Sequence, residues 1–160
     1  MALMFMKYEG IDGESEVRGR KGFMEIESFA WGGSRPVTSV KGGARGDAEV
    51  QMQEVTVTRK QDGLSAQLVE QMITGTFDKK VEFQFVRTGP NRKPQTFLKI
   101  DFEKAGLSSY QAVSSAGDGP VIETMSINYT VITIATFKAD DTLSAVGDST
   151  SFDVETGAPR

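Results

Sequence analysis

The sequence predicts a mainly β domain: a barrel or sandwich of seven or eight antiparallel strands carrying one short helix. Three observations lead there. Val, Ile and Thr make up 36 of the 160 residues, against 18 for Leu and Ala, and β-branched side chains suit a pleated surface better than a helix. Several segments alternate apolar and polar residues one by one, the period of a strand with one wet face. Helical spacing occurs in one segment only. Leu, Ile, Val and Phe total 38 residues, enough for a single core in a single domain over 1–160.

Taken in order, Ala2–Tyr8 reads as a first strand, followed by a turn-rich stretch, Gly10-Ile-Asp-Gly-Glu-Ser15. Phe23–Trp31 is a second strand with Ile26, Phe29 and Trp31 as its bulk; its alternation slips near Ser28, which predicts a bulge or bend. Arg35–Ala48 holds one proline, three glycines and three cations without a strong period, and reads as a long projecting loop or hairpin. Glu49–Lys60 alternates again with a change of phase: Val50 and Met52 share one face, Val55 and Val57 the other. Leu64–Thr74 is the helix, with Leu64, Leu68 and Met72 as its stripe and Val69 and Ile73 widening it. Asp62 or Ser65 suits its start and Gly75 its C′ position.

Two strands centred on Val81-Phe83-Phe85 and Leu98-Ile100-Phe102 flank the turn Thr88-Gly-Pro-Asn-Arg-Lys-Pro94, so they pair as a hairpin. Leu107–Ser115 is a separate, weaker strand. Val121–Phe137 reads as one long strand with Met125, Ile127, Tyr129 and Val131 facing in and Thr124, Ser126, Asn128 and Thr130 facing out. The segment 138–160 is a polar tail, with Phe152 and Val154 available for a short edge strand.

Composition excludes several chemistries. The chain has neither cysteine nor histidine, so no disulfide, thiol nucleophile, imidazole base or Cys/His metal site. A net charge of −4 argues against general nucleic-acid binding. No apolar run approaches the ~18 residues of a spanning helix, so no membrane insertion is expected. Leu3–Met6 is too short for the apolar region of a cleavable export signal. The acidic pairs around Asp12-Gly13-Glu14 and Asp140-Asp141 lack calcium-loop spacing and read as solvated turns. Arg45-Gly46-Asp47 spells an adhesion tripeptide that a charged, Gly-rich loop yields by chance. Lys41–Gly46 lacks the phosphate-loop pattern. Lys79-Lys80 and Arg92-Lys93 read as solubility charges at turns, and Trp31 as a core residue at a strand end. No residue set forms an active site, and no cofactor is expected. The residues themselves leave a β domain that binds or assembles.

Met4-Phe-Met-Lys-Tyr-Glu-Gly-Ile-Asp-Gly-Glu-Ser15, Phe29-Ala-Trp-Gly32, Glu54-Val-Thr-Val-Thr-Arg-Lys60 with Asp62, Ser65 and Leu68, Glu123-Thr-Met-Ser-Ile-Asn128 and Ser151-Phe-Asp-Val-Glu-Thr-Gly157 follow one another in an order and spacing that resemble the haemolysin-coregulated protein (Hcp) family of the type VI secretion system. Asp153 departs from the pattern, where family members often carry another aromatic. The resemblance implies a small β-barrel of two antiparallel sheets with one flanking helix, similar to contractile phage tail tubes. It implies homohexameric rings that stack into a tube, with a contractile sheath, a spike and small secreted effectors as partners. The protein would be cytoplasmic before assembly and secreted without a cleavable signal. A bacteriophage-type tail tube protein and a monomeric β-barrel binding module stand as the alternatives. Within this picture the candidate ring-stacking residues are Arg35, Val37, Val40, Lys41, Arg45 and Asp47, whose cations face a C-terminal third with two cations and seven anions from Ala105 onward. The candidate lumen contacts are Ser114 and Ser115.

Overall fold

The structure, a computed structural model, describes residues 2–17, 19–36, 49–88, 94–117, 119–137 and 146–159. β1 (Ala2–Tyr8) pairs β2 (Met24–Ile26) on one side and β7 (Lys79–Thr88) on the other. β7 pairs β8 (Pro94–Val113), which pairs β10 (Val131–Phe137), then β11 (Val146–Asp153) and β12 (Ala158–Pro159). These strands form the first sheet. The second consists of β3 (Ser28–Ala30), β6 (Val55–Lys60), β9 (Ile122–Asn128) and the C-terminal half of β8. β4 (Gly33–Ser34) and β5 (Gln51–Met52) form a two-residue ladder that closes the base of the 35–50 connection.

The two-sheet, mainly β architecture is the expected one, with one correction: the ladder does not close into a continuous barrel. The predicted slip near Ser28 is where the chain leaves the edge of the first sheet and joins the second. Among the described residues β2 pairs with β1 alone and β3 with β6 alone, which leaves a seam beside Glu27.

Two boundaries differ from the sequence reading in opposite senses. The Leu98-Ile100-Phe102 strand and the Leu107–Ser115 strand, separate in the sequence reading, are one strand, β8, unbroken for 20 residues. Lys104 takes φ 50°, and the register with β7 shifts there from Val81↔Phe102 to Lys79↔Ala105. A β-bulge thus bends the strand from one sheet into the next instead of ending it. Conversely, the 121–137 segment breaks at Tyr129–Thr130 although its alternation continues in phase across the break, so its period could not reveal it. The strand holding Phe152 is longer than expected and is not the outermost, because β12 lies beyond it.

The core lies between the sheets. Phe29 of β3 meets Phe83 and Phe85 of β7 at 4.8 and 5.1 Å, and Phe83 and Tyr129 both contact Phe102. These edge-to-face and tilted contacts tie one sheet to the other. A second small cluster, Phe5, Phe23 and Val86, sits on the outer side of the first sheet, with Leu3 and Val17 packed against it. Gly13 makes this possible: a Cβ there would lie 2.1 Å from the Phe23 carbonyl oxygen.

The helix, α1 (Ser65–Thr74), packs against β8 and buries Leu68 completely. Asp62 serves its start, its Oδ1 accepting from the Leu64 N–H at 2.9 Å. Two expectations for its end fail. Ile73 points outward, 72% exposed, so the buried stripe is narrower than predicted. Gly75 has φ −41°, not a left-handed conformation; glycine is suited there because a Cβ would press on the Gln71 carbonyl oxygen at 2.9 Å.

Candidate functional site

The outer faces of the two sheets differ in chemistry. Across the second sheet the register aligns Ser28, Thr58, Thr124 and Gln111 in one row and Ala30, Thr56, Ser126 and Ser109 in the next. All eight are exposed or half-buried, and none is charged. The Ser28 and Thr58 hydroxyls meet at 2.5 Å. This is a flat hydroxyl and amide surface, offering donors and acceptors without fixed charge. The first sheet instead aligns Lys7, Glu82, Asp101 and Thr133, with Lys99 Nζ 3.4 Å from Glu82 and 3.6 Å from Asp101. Burial pushes the Asp101 carboxyl up, with Lys99 opposing.

Beneath the hydroxyl surface lies a buried ion cluster. Arg59 and Glu123 are cross-strand partners on β6 and β9, 1% and 0% exposed. Arg59 Nη1 donates to Glu123 Oε2 at 2.9 Å, and Arg59 Nη2 pairs with Asp62 Oδ2. The Tyr110 hydroxyl donates to Glu123 Oε1 at 2.7 Å. The cluster therefore joins three strands to the entry of α1. Nearby, Trp31 Nε1–H donates to the Tyr129 hydroxyl at 2.6 Å, which donates to the Gln53 carbonyl at 2.8 Å. Trp31 is half-buried and tied into the core edge, as a structural tryptophan should be.

Sequence reasoning placed no weight on Arg59 or Glu123 as a pair. The signal was there: both stand on the buried phase of their strands, in line with Val55 and Val57 and with Met125 and Ile127. Opposite charges at inward positions of two strands predict a cross-strand ion pair.

Of the expected stacking residues, Arg35 is exposed immediately after β4, whereas Val37, Val40, Lys41, Arg45 and Asp47 lie outside the described residues. Ser114 and Ser115 are exposed just past the end of β8. That end belongs to the second sheet. Asp12 and Glu14 are exposed in the turn before β2, and Lys79 and Lys80 open β7. Arg92, Lys93, Asp140 and Asp141 lie outside the described residues.

The chain's three tyrosines, Tyr8, Tyr110 and Tyr129, all titrate above the ordinary phenol value, each chiefly through burial. For Tyr110 burial and the hydrogen bond to Glu123 bring it to about 12. A raised phenol pKa means that the folded state holds protons the unfolded state has released. The stabilisation is complete below pH ~10 and is lost as pH rises through the folded values. Phenolate absorbance should therefore stay low in the folded protein at pH 10.5 and appear at that pH on addition of urea. Equal absorbance in both states would refute the burial of these hydroxyls.

A family model, described as type VI secretion system effector, Hcp, matches residues 5–135. Among solved structures, the chain is similar to a type six secretion system protein at 21% identity, with 100% of both chains covered and a TM-score of 0.89. It is similar to Hcp1 from Salmonella typhimurium at 18% identity, with 99% of both chains covered and a TM-score of 0.79. A type VI secretion system effector from Yersinia pestis aligns at 20% identity over 94% of this chain and 99% of that one, with a TM-score of 0.70. No curated protein matches the chain by sequence.

Proposed function

The chain belongs to the Hcp family of type VI secretion system effectors, and from that premise we propose that it is the structural subunit of the system's inner tube. Six copies close into a ring around an open lumen, and rings stack into a tube within a contractile sheath. Contraction expels the tube with its spike and small effectors, so the protein leaves the cell without a cleaved signal. Its part is structural rather than catalytic.

The observation that carries this reading is the family match across residues 5–135. The fold's own chemistry supports it. Sheet edges invite pairing with other chains, and a closed ring uses them up. The two uncharged rows of the second sheet suit a lumen wall, because hydroxyls hydrogen-bond many protein surfaces without selecting a charge. Ser114 and Ser115, at the margin of that sheet, are the proposed contacts for effectors. The 35–48 segment, carrying Arg35, Val37, Val40, Lys41, Arg45 and Asp47, is the proposed contact between rings.

Multi-angle light scattering at micromolar concentration tests the ring. The expected mass is about six times the 17.4 kDa of one chain. A single-chain mass would overturn the reading in favour of a monomeric binding module.

A further inference from the structure

The seam between the sheets is a cleft of about 310 Å³ between β2 and the end of β6. Its β2 wall carries unused backbone groups. The Ser15 N–H donates to the Phe23 carbonyl at 3.0 Å and the Glu27 N–H to the Thr58 carbonyl at 2.8 Å, both on the side of β2 away from β1. In an antiparallel ladder the backbone groups of alternate residues point the same way. The N–H and C=O of Glu25, between those two, therefore open into the cleft, and neither has a backbone partner among the described residues. The opposite wall is formed by Arg59, Lys60 and Asp62. The rim is acidic: Glu14 and Glu25 are exposed, and neither is in an ion pair among the described residues.

We propose that this cleft receives the cationic 35–48 segment of a second copy of the chain. The inference rests on the reading of that segment as a contact between copies, and it names the acceptor. The segment carries Arg35, Lys41 and Arg45 against one anion, Asp47, the complement of the Glu14–Glu25 rim. Its Gly42, Gly43 and Gly46 allow a backbone to approach the β2 edge closely enough to pair with Glu25. The acceptor thus lies in the N-terminal half of the chain and not in its acidic C-terminal third.

The chain's lack of cysteine permits a direct test. Glu25→Cys is placed in a tagged copy and Ala44→Cys in an untagged one, and the two are co-expressed and mildly oxidised. A disulfide-linked dimer of one tagged and one untagged chain is expected. Reversing the rim with Glu14→Lys and Glu25→Lys should stop ring stacking without altering ring mass. A partner carrying Lys41→Glu and Arg45→Glu should restore it. Tubes that form without any mixed disulfide overturn this inference and leave the tube reading standing. A chain bearing both cysteines that bridges only within itself also overturns it, by showing that the cleft takes the segment of its own copy. A single-chain mass in light scattering removes the tube reading, and this inference with it.

Discussion

Glu123→Ala is expected to cost the fold about 3–5 kcal/mol, because it strands a buried guanidinium. Glu123 is 0% exposed and holds Arg59 through Nη1 at 2.9 Å. Without it Arg59 keeps only Asp62, on the α1 side, and the Tyr110 hydroxyl loses its acceptor. In a chain of this size that loss lowers the melting temperature by roughly 10 °C or more. Replacing both partners by apolar residues of similar volume, Arg59→Met with Glu123→Leu, removes the stranded charge and should recover most of the stability. Urea denaturation of the three proteins checks this. If Glu123→Ala unfolds at the wild-type midpoint, the cluster contributes nothing to the fold. If the double variant is worse than the single one, the cost lies in packing and not in charge.

Removing Gly42–Asp47 is expected to abolish tubes while leaving rings intact. The deletion falls beyond the β4–β5 ladder, where Gly33 pairs Met52 and Ser34 pairs Gln51, so the sheets and α1 are untouched. It removes Arg45, Asp47 and all three glycines of the 35–48 segment, so that Arg35 and Lys41 no longer project. A single exposed ion pair is worth ~0–1 kcal/mol and could not hold two rings together. Docked repeatedly around a ring, such contacts act at high effective concentration, so their joint loss is all-or-none. Weak individual contacts also suit a tube that must fall apart after firing. Negative-stain microscopy reads both states at once. Normal tubes from the shortened protein would show that stacking resides elsewhere; loss of the ring as well would show that the segment holds neighbours within a ring.

Much of the fold was legible because one wet face and one dry face imprint alternation on the sequence. The Ala2–Tyr8 strand, the hairpin around 88–94 and the phase changes near Ser28 and Gln53 were all visible in that pattern, and the phase changes mark strands that switch partners. The failures share one cause. Alternation records which way a side chain points, not which strand lies beside it. The bulge at Lys104 carries one strand through two segments that read as separate, and the break at Tyr129 preserves the phase through an interruption. The site was less legible. Arg59, Asp62, Ser65 and Glu123 all lie within the segments that carried the family resemblance, yet as separate segments they gave no hint that three of them meet in one cluster. Their proximity depends on β6 pairing with β9, a relation between residues 64 positions apart. The hydroxyl surface was half visible, in the outward Thr124, Ser126 and Asn128, but its extent required the register of four strands.

β8 and its neighbours β9 and β10 pass together from one sheet to the other, so the layers are joined by covalent backbone as well as by packed side chains. At ~3.3 Å per residue the 20 residues of β8 amount to a beam of about 65 Å contour length, with Lys104 at the bulge between its two halves. A force that slides one layer across the other must stretch or flex that beam, whereas two layers held by apolar contact alone would slip at the interface. The subunit is thereby stiff against shear along its own strands. If the proposed tube is pushed along these strands, each copy is expected to keep its cross-section under thrust.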